Sequence, residues 1–297
     1  MEDYRKYLQP DEIAKLSNIE LKARLVVEGF ITGLHKSPYH GFSVEFAEHR
    51  AYQPGDEIRR LDWKVYGKTD KFYVKQFEEE TNLRSMIAVD SSASMKFASK
   101  GNISKYEYAC YLAAALSYLL IKQRDSVGLS LYDTEIRKFL PPNSRQSYIQ
   151  KILKTLDETE PANETGTAKA LDLIAERIKR RGLVVIISDF FDDPKSVTNA
   201  LKHFRHKKHE VLAFQILDPR ERDFKFGKNA VFKDLENGDE IITQPYQIQK
   251  AYAESMENFV HDIKKECRNH NIDYYLIDTS EPFDKAMREF ITKRKRM

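Results

Sequence analysis

Cysteine is nearly absent from this chain of 297 residues: there are two, Cys110 and Cys267, far apart and each inside a helix-like stretch. That excludes a disulfide framework and a multi-cysteine zinc site, and predicts buried free thiols in a reducing compartment. The histidines show no zinc spacing with them, and His203, His206 and His209 read as one polar helix end. Long apolar runs are missing too. The longest uncharged one, 111-YLAAALSYLLI-121, falls far short of the roughly 20 residues a membrane-spanning helix needs. The opening MEDYRKYLQP has no apolar segment behind its charges, so no secretory leader is expected. Neither charge sign dominates, with Lys plus Arg at 49 and Asp plus Glu at 46, which removes the basic excess of a nucleic-acid binder. The closing run Lys293 to Arg296 reads as a solvated tail. These absences predict a soluble cytoplasmic protein. Tryptophan occurs once, and Trp63 is expected to anchor a small subdomain.

Several catalytic signatures are also missing. No G-x-x-x-x-G-K-[ST] loop is present for a nucleotide phosphatase, and no G-x-S-x-G elbow for a hydrolase. A strand-end D-x-D phosphatase needs a second carboxylate where Ser92 stands, so its general acid is lacking.

What the chain does have is alternation. From residue 84, continuous apolar strands (84–90, 126–133, 183–189, 210–218, 273–279) alternate with helical periodicity (106–124, 144–156, 167–180, 194–207, 248–270, 282–294). Pro141 and Pro142 are expected to stop a short strand begun at Glu135, and Gly182 to end the helix before it. The pattern predicts an α/β fold, a mostly parallel sheet with helices on both faces. Residues 219–247 interrupt it with a hairpin signal around Asn237-Gly238. Residues 1–83 lack the rhythm: a helix-like segment at 11–32, then alternating stretches at 41–52 and 71–80 around a turn-rich region. The expected organisation is a β-rich N-terminal subdomain over 1–83 and the α/β domain over 84–297.

The stretch 86-MIAVDSSASM-95 runs a buried strand straight into Asp90, Ser92 and Ser94. Carboxylate and hydroxyl oxygens at that spacing suit a hard divalent cation such as Mg2+ (or Mn2+ or Ca2+); magnesium takes six oxygens at roughly 2.0–2.1 Å. Ser92 and Ser94 would bind it directly, and Thr167 directly or through water. Asp90 and Asp189 would hold bound waters. Taken singly, each hydroxyl reads as a helix cap; the five together read as a metal site. Asp133 and Asp218 read as strand terminators.

D-x-S-x-S after the first strand, a loop threonine and an aspartate after a later apolar strand resemble the metal-ion-dependent adhesion site of von Willebrand factor A domains. The run 52-YQPGDEIRRLDWKVYGKTDKFYVKQFEEE-80, with 217-LDPRERDF-224 and the following VFKDLENG, further resembles the bacterial family of unknown function DUF58. That resemblance implies a von Willebrand A-like domain and a MoxR-type AAA+ ATPase as partner, the chain serving as an adaptor. Many members carry transmembrane helices before the signature, which this chain lacks. Members often have Gly-Gly-Thr at the loop threonine; here it is Thr165-Gly166-Thr167, so Thr165 is an alternative ligand to Thr167. The expected role is metal-dependent capture of a partner carboxylate. Competing readings are a metal-dependent phosphohydrolase and a scaffold with a degenerate, empty site.

Overall fold

The computed structural model describes residues 9–16, 18–35, 49–52, 63–75, 83–164, 166–227, 230–233, 235 and 240–295. Residues 53–62, which hold most of the PGD signature, Thr165, and the Asn237-Gly238 turn lie outside them. In chain order the elements are α1 (Pro10–Ala14), α2 (Ile19–His35), β1 (His49–Ala51), α3 (Trp63–Thr69), β2 (Tyr73–Lys75), β3 (Arg84–Asp90), α4 (Lys105–Lys122), β4 (Ser126–Tyr132) and β5 (Ile136–Asn143). Then come α5 (Tyr148–Asp157), α6 (Thr167–Arg177), β6 (Leu183–Ser188), α7 (Pro194–His206), β7 (Glu210–Leu217) and α8 (Pro219–Asp223). The chain closes with β8 (Ala230–Lys233), β9 (Glu240–Thr243), α9 (Pro245–Asn269), β10 (Asp273–Asp278) and α10 (Phe283–Lys295).

Six strands form one sheet in the order β10-β7-β6-β3-β4-β5, parallel throughout except for antiparallel β5. This is the α/β architecture that the alternation predicts. β1 and β2 pair with each other outside it, as do β8 and β9, the latter being the expected hairpin. The chain leaves β3 for β4 on one side and later returns to β6 on the other. The crevice above the ends of β3 and β6 is therefore a topological switch point, where open α/β sheets collect ligands.

Alternate residues of the buried strands feed two cores. Ile87, Val89, Val185 and Phe214 face α4, α5 and α10; Ala88, Val184, Ile186 and Ala213 face α6, α7 and α9. The periodicity of α4 suggests one apolar face, yet Cys110, Ala114, Ala115 and Ile121 are buried as well. The reason is a third layer. Ala23, Val26, Val27 and Phe30 of α2 join the core on the far side of α4, so that helix is covered all round. Cys110 and Cys267 are buried free thiols, each pushed up to about 12 by burial.

Three local expectations are corrected. β5 runs through Pro141 and Pro142 to Asn143 instead of stopping there. It is an edge strand, where missing N–H donors are tolerated, and its register with β4 shifts between Val127 and Leu129. Gly128 makes this possible, since a Cβ there would sit 2.6 Å from the Leu140 carbonyl oxygen. Trp63 is 58% exposed and meets Tyr66 edge-on, with ring centroids 6.1 Å apart, so it anchors no core among the described residues. Finally, α6 ends at Arg177, with Ile178 already extended, so Gly182 does not stop it.

Gly182 instead admits a close backbone approach: a Cβ there would lie 2.1 Å from the Arg84 carbonyl oxygen. Backbone cannot swing aside as a side chain does. Gly182→Ala is expected to destabilise the protein by about 1–3 kcal/mol through forced separation of β3 and β6. Urea denaturation checks this, and an unchanged midpoint would refute so tight an approach.

Candidate functional site

Asp90 is the last residue of β3 and is fully buried above the sheet end. Its Oδ1 accepts the Ser92 backbone N–H at 2.9 Å, a local turn typical of aspartate. Its Oδ2 accepts the hydroxyls of Ser188 at 2.6 Å and Thr167 at 3.2 Å. A 3-10 turn over Ala93–Lys96 then brings Ser94 Oγ within 3.1 Å of Ser92 Oγ, and Ser94 donates to Asp189 Oδ2 at 2.8 Å. Asp90, Ser92, Ser94, Thr167 and Asp189, drawn from three separate segments, thus meet in one hydrogen-bonded cluster at the switch point.

Backbone contacts fix these segments. The Ser91 N–H donates to the Tyr132 carbonyl at 2.7 Å, and the Ala93 N–H to the Asn163 carbonyl at 2.9 Å. Asn163 itself is left-handed at φ 62°. Thr167 opens α6 behind Gly166, whose missing Cβ would lie 2.9 Å from Thr134 Cα. The positive end of α6 is therefore beside the Asp90 carboxylate. The Asp189 carbonyl accepts from Gln215 at 2.7 Å, and its Oδ1 accepts the Phe191 N–H at 3.1 Å. Asp133 and Asp218, read as strand terminators, hold loops. Asp133 accepts Asn163 Nδ2 at 2.7 Å; Asp218 caps α8 and accepts the Ser99 N–H and hydroxyl, both at 2.9 Å.

The sequence reading missed the site's own cation. Lys105, the first residue of α4, is completely buried, and its ammonium lies 2.7 Å from Asp189 Oδ2 and 2.6 Å from Glu221 Oε1. It also sits 4.5 Å from the centre of the Phe191 ring. Glu221 belongs to α8, at the base of the hairpin insertion, so this ammonium ties the insertion to the strand ends. Burial alone would pull the Lys105 pKa down; the charges of Asp189 and Glu221 outweigh it and leave it raised. Ser188, also missed, is the closest hydroxyl to Asp90.

Asp189 and Glu221 thus share one ammonium, and Asp90, beside Asp189, adds a third carboxylate that Lys105 does not reach. The shortfall shows at Asp90 and Glu221. Asp90 is pushed up to about 6, by burial first and then by the charge of Asp189, against hydrogen bonds from Ser188 and Ser92. Glu221 is pushed up to about 7 by burial, against the pull of Lys105. Tyr132, paired with Asp90 across β3 and β4, has a buried hydroxyl beside Ser188, and burial and then the Asp90 charge raise its pKa well above the usual range. Among the described residues no three His, Cys, Asp or Glu side chains gather as a metal cage. Any cation here would rely on hydroxyl oxygens beside two carboxylates.

Comparison with known proteins adds a family and no activity. The family described as "Protein of unknown function DUF58" matches residues 48–260. An uncharacterized protein of Mycobacterium bovis is 30% identical over 246 residues, spanning 82% of this chain and 75% of its own length. An uncharacterized protein of Mycobacterium tuberculosis matches to the same extent, 30% over 246 residues. Among solved structures, the conserved hypothetical protein BatB from Bacteroides thetaiotaomicron is similar over 72% of this chain and 99% of its own, at 18% identity and a TM-score of 0.48. An aerotolerance-related membrane protein from Bacteroides fragilis matches over 72% of this chain and 100% of its own, at 19% identity and a TM-score of 0.49. No helix among the described residues of the present chain is long and apolar enough to cross a membrane.

Proposed function

This chain belongs to the DUF58 family of proteins of unknown function, and we propose that it is a binding module whose strand-end site holds a divalent cation and captures a carboxylate of a partner protein. The supporting observation is the convergence of Asp90, Ser92, Ser94, Thr167 and Asp189 in one buried cluster of oxygens with more carboxylate than cation. An all-oxygen set suits Mg2+, or Mn2+ or Ca2+, and disfavours the softer metals. Ser92, Ser94 and Thr167 would hold the ion, with Asp90 and Asp189 orienting its waters. When bound, the cation supplies an electrophilic position at which an outside carboxylate can replace water. Lys105 pairs with Asp189 and holds it in place. Asp90, without an ammonium of its own, supplies the negative charge that asks for a cation.

The order of these parts along the sheet is also what supports a von Willebrand A-like domain. A binding role is favoured over hydrolysis because neither serine has a free base: Ser94 already donates to Asp189, which pairs with Lys105. Family resemblance alone suggests a MoxR-type AAA+ ATPase as the partner, with this chain as its adaptor.

Wild-type protein is expected to melt higher in millimolar Mg2+ or Mn2+ than in EDTA, because the ligands meet only in the folded state. Ser94→Ala is expected to cost about 0.5–1.5 kcal/mol of stability and to lose most of the cation-dependent shift. Equal melting of wild type in the two buffers would remove the metal. Equal capture of a purified MoxR-type ATPase with and without EDTA would remove metal-bridged recognition even if a metal binds.

A further inference from the structure

The other end of the sheet carries a cavity of about 240 Å³, beneath the starts of β3 and β6, between edge strand β5 and the segment after α6. Its apolar lining comes from Met86, Phe139, Leu183 and Val184. Arg84, Arg177, Lys179 and Arg180 also line it, and no Asp or Glu among the described residues does. None of Arg84, Lys179 and Arg180 has a carboxylate within ion-pair reach among the described residues. In a chain whose charges nearly balance, four cations around one mouth with no counter-charge among the described residues are a local asymmetry. The negative end of α6 accounts for Arg177 in its last turn. It does not account for Arg84, which arrives from a different strand. Arg177 is further held over the Phe139 ring, 4.7 Å from its centre, so one guanidinium is positioned where the apolar wall meets the opening.

We propose that this basal cavity binds a small amphipathic carboxylate, its apolar body against Met86, Phe139, Leu183 and Val184 and its head group at the guanidinium groups of Arg84, Arg177 and Arg180. An apolar lining with a few convergent polar groups is the usual composition of a small-molecule site. Guanidinium favours carboxylate through paired, charge-assisted hydrogen bonds. The volume is that of about eight waters, which suits a ligand of about ten non-hydrogen atoms. Nothing in this inference depends on a cation at the strand ends.

The test is isothermal titration calorimetry of the full chain with octanoate, 1-octanol and inorganic phosphate, all in EDTA so that no metal-bound carboxylate contributes. Octanoate is expected to bind saturably at one site. Octanol, which lacks the charge, and phosphate, which lacks the apolar body, are each expected to bind at least about tenfold more weakly. Arg84→Gln with Arg177→Gln is expected to weaken octanoate about ten- to hundredfold, with an unchanged melting temperature reporting an intact fold. Should this double variant unfold, Lys179→Gln with Arg180→Gln, both exposed, repeats the measurement. No octanoate heat, octanol binding equal to octanoate, phosphate binding equal to octanoate, or full affinity in a folded double variant would each overturn the proposal.

Discussion

Replacing Lys105 with methionine is expected to lower the unfolding free energy by about 3–5 kcal/mol in EDTA, the usual cost of removing one partner from a buried ion pair. Methionine nearly matches the lysine stem in length and keeps its apolar contacts, so the loss falls on the charge. The ammonium lies 2.7 Å from Asp189 and 2.6 Å from Glu221, and no other cation is paired with either among the described residues. Without it, Glu221, already pushed up to about 7 by burial, takes up a proton near neutrality. Asp189 is then left buried without its ion-pair partner. Two readouts follow. Urea denaturation in EDTA measures the loss; a loss under about 1 kcal/mol would mean that Lys105 is not the counter-ion that its geometry indicates. Mg2+ is expected to stabilise the variant more than wild type, because the cation then neutralises Asp189 as well as Asp90. Hydrogen exchange over α8 is expected to quicken in the variant, since Lys105 is the link from Glu221 to the strand ends.

Lys105 also shows what the sequence withheld. Asp90, Ser92 and Ser94 were legible because they lie next to one another at the end of an unmistakable apolar strand. Asp189 was legible for the same reason, one strand later. Thr167 came within reach only through family resemblance and the loop preceding a helix. Lys105 fell one residue outside the helix expected over 106–124. Yet the chain holds a signal for it: Ser104 and Glu107 form a reciprocal cap that fixes Lys105 as the first residue of α4. A cation at that position meets the positive end of the helix. Such a placement is unfavourable unless carboxylates come from elsewhere, and here they come from 84 and 116 residues away. Partners that distant are set by sheet order, which periodicity alone does not reveal. The third layer was hidden for a similar reason. Apolar spacing in α4 shows that a face is buried, but only the packing of α2 explains why the opposite face is buried too. At β5, Pro141 and Pro142 read as a stop because the sequence does not state that the strand lies at an edge.

The stability of the Asp90→Asn variant relative to wild type is expected to rise as pH rises from 4 to 7 in EDTA. In the metal-free protein the Asp90 carboxyl is pushed up to about 6, against about 3.9 in an unfolded chain. A folded value above the unfolded one means that the native state holds the proton more tightly. The stabilisation is therefore full below about pH 4 and is lost as pH rises through about 6. At about 1.4 kcal/mol per unit the wild type forfeits about 3 kcal/mol over that window, whereas asparagine does not titrate. Glu221 moves in the same direction but is present in both proteins, so it cancels from the difference. Ser188 and Thr167 both donate to Asp90 Oδ2 and the Ser92 N–H to Oδ1. An amide cannot accept at both atoms, so the substitution carries a fixed penalty that offsets the curve without bending it. A divalent cation should abolish the trend, since it favours the ionised carboxylate and removes the reason for the proton. The margin is accordingly expected to widen with pH in EDTA and to stay flat in millimolar Mg2+, as followed by urea denaturation at each pH. A margin that is flat in both buffers would show that Asp90 does not titrate in this range. A margin that widens equally in both would show that no cation reaches Asp90, and the proposed mode of recognition would fall with it.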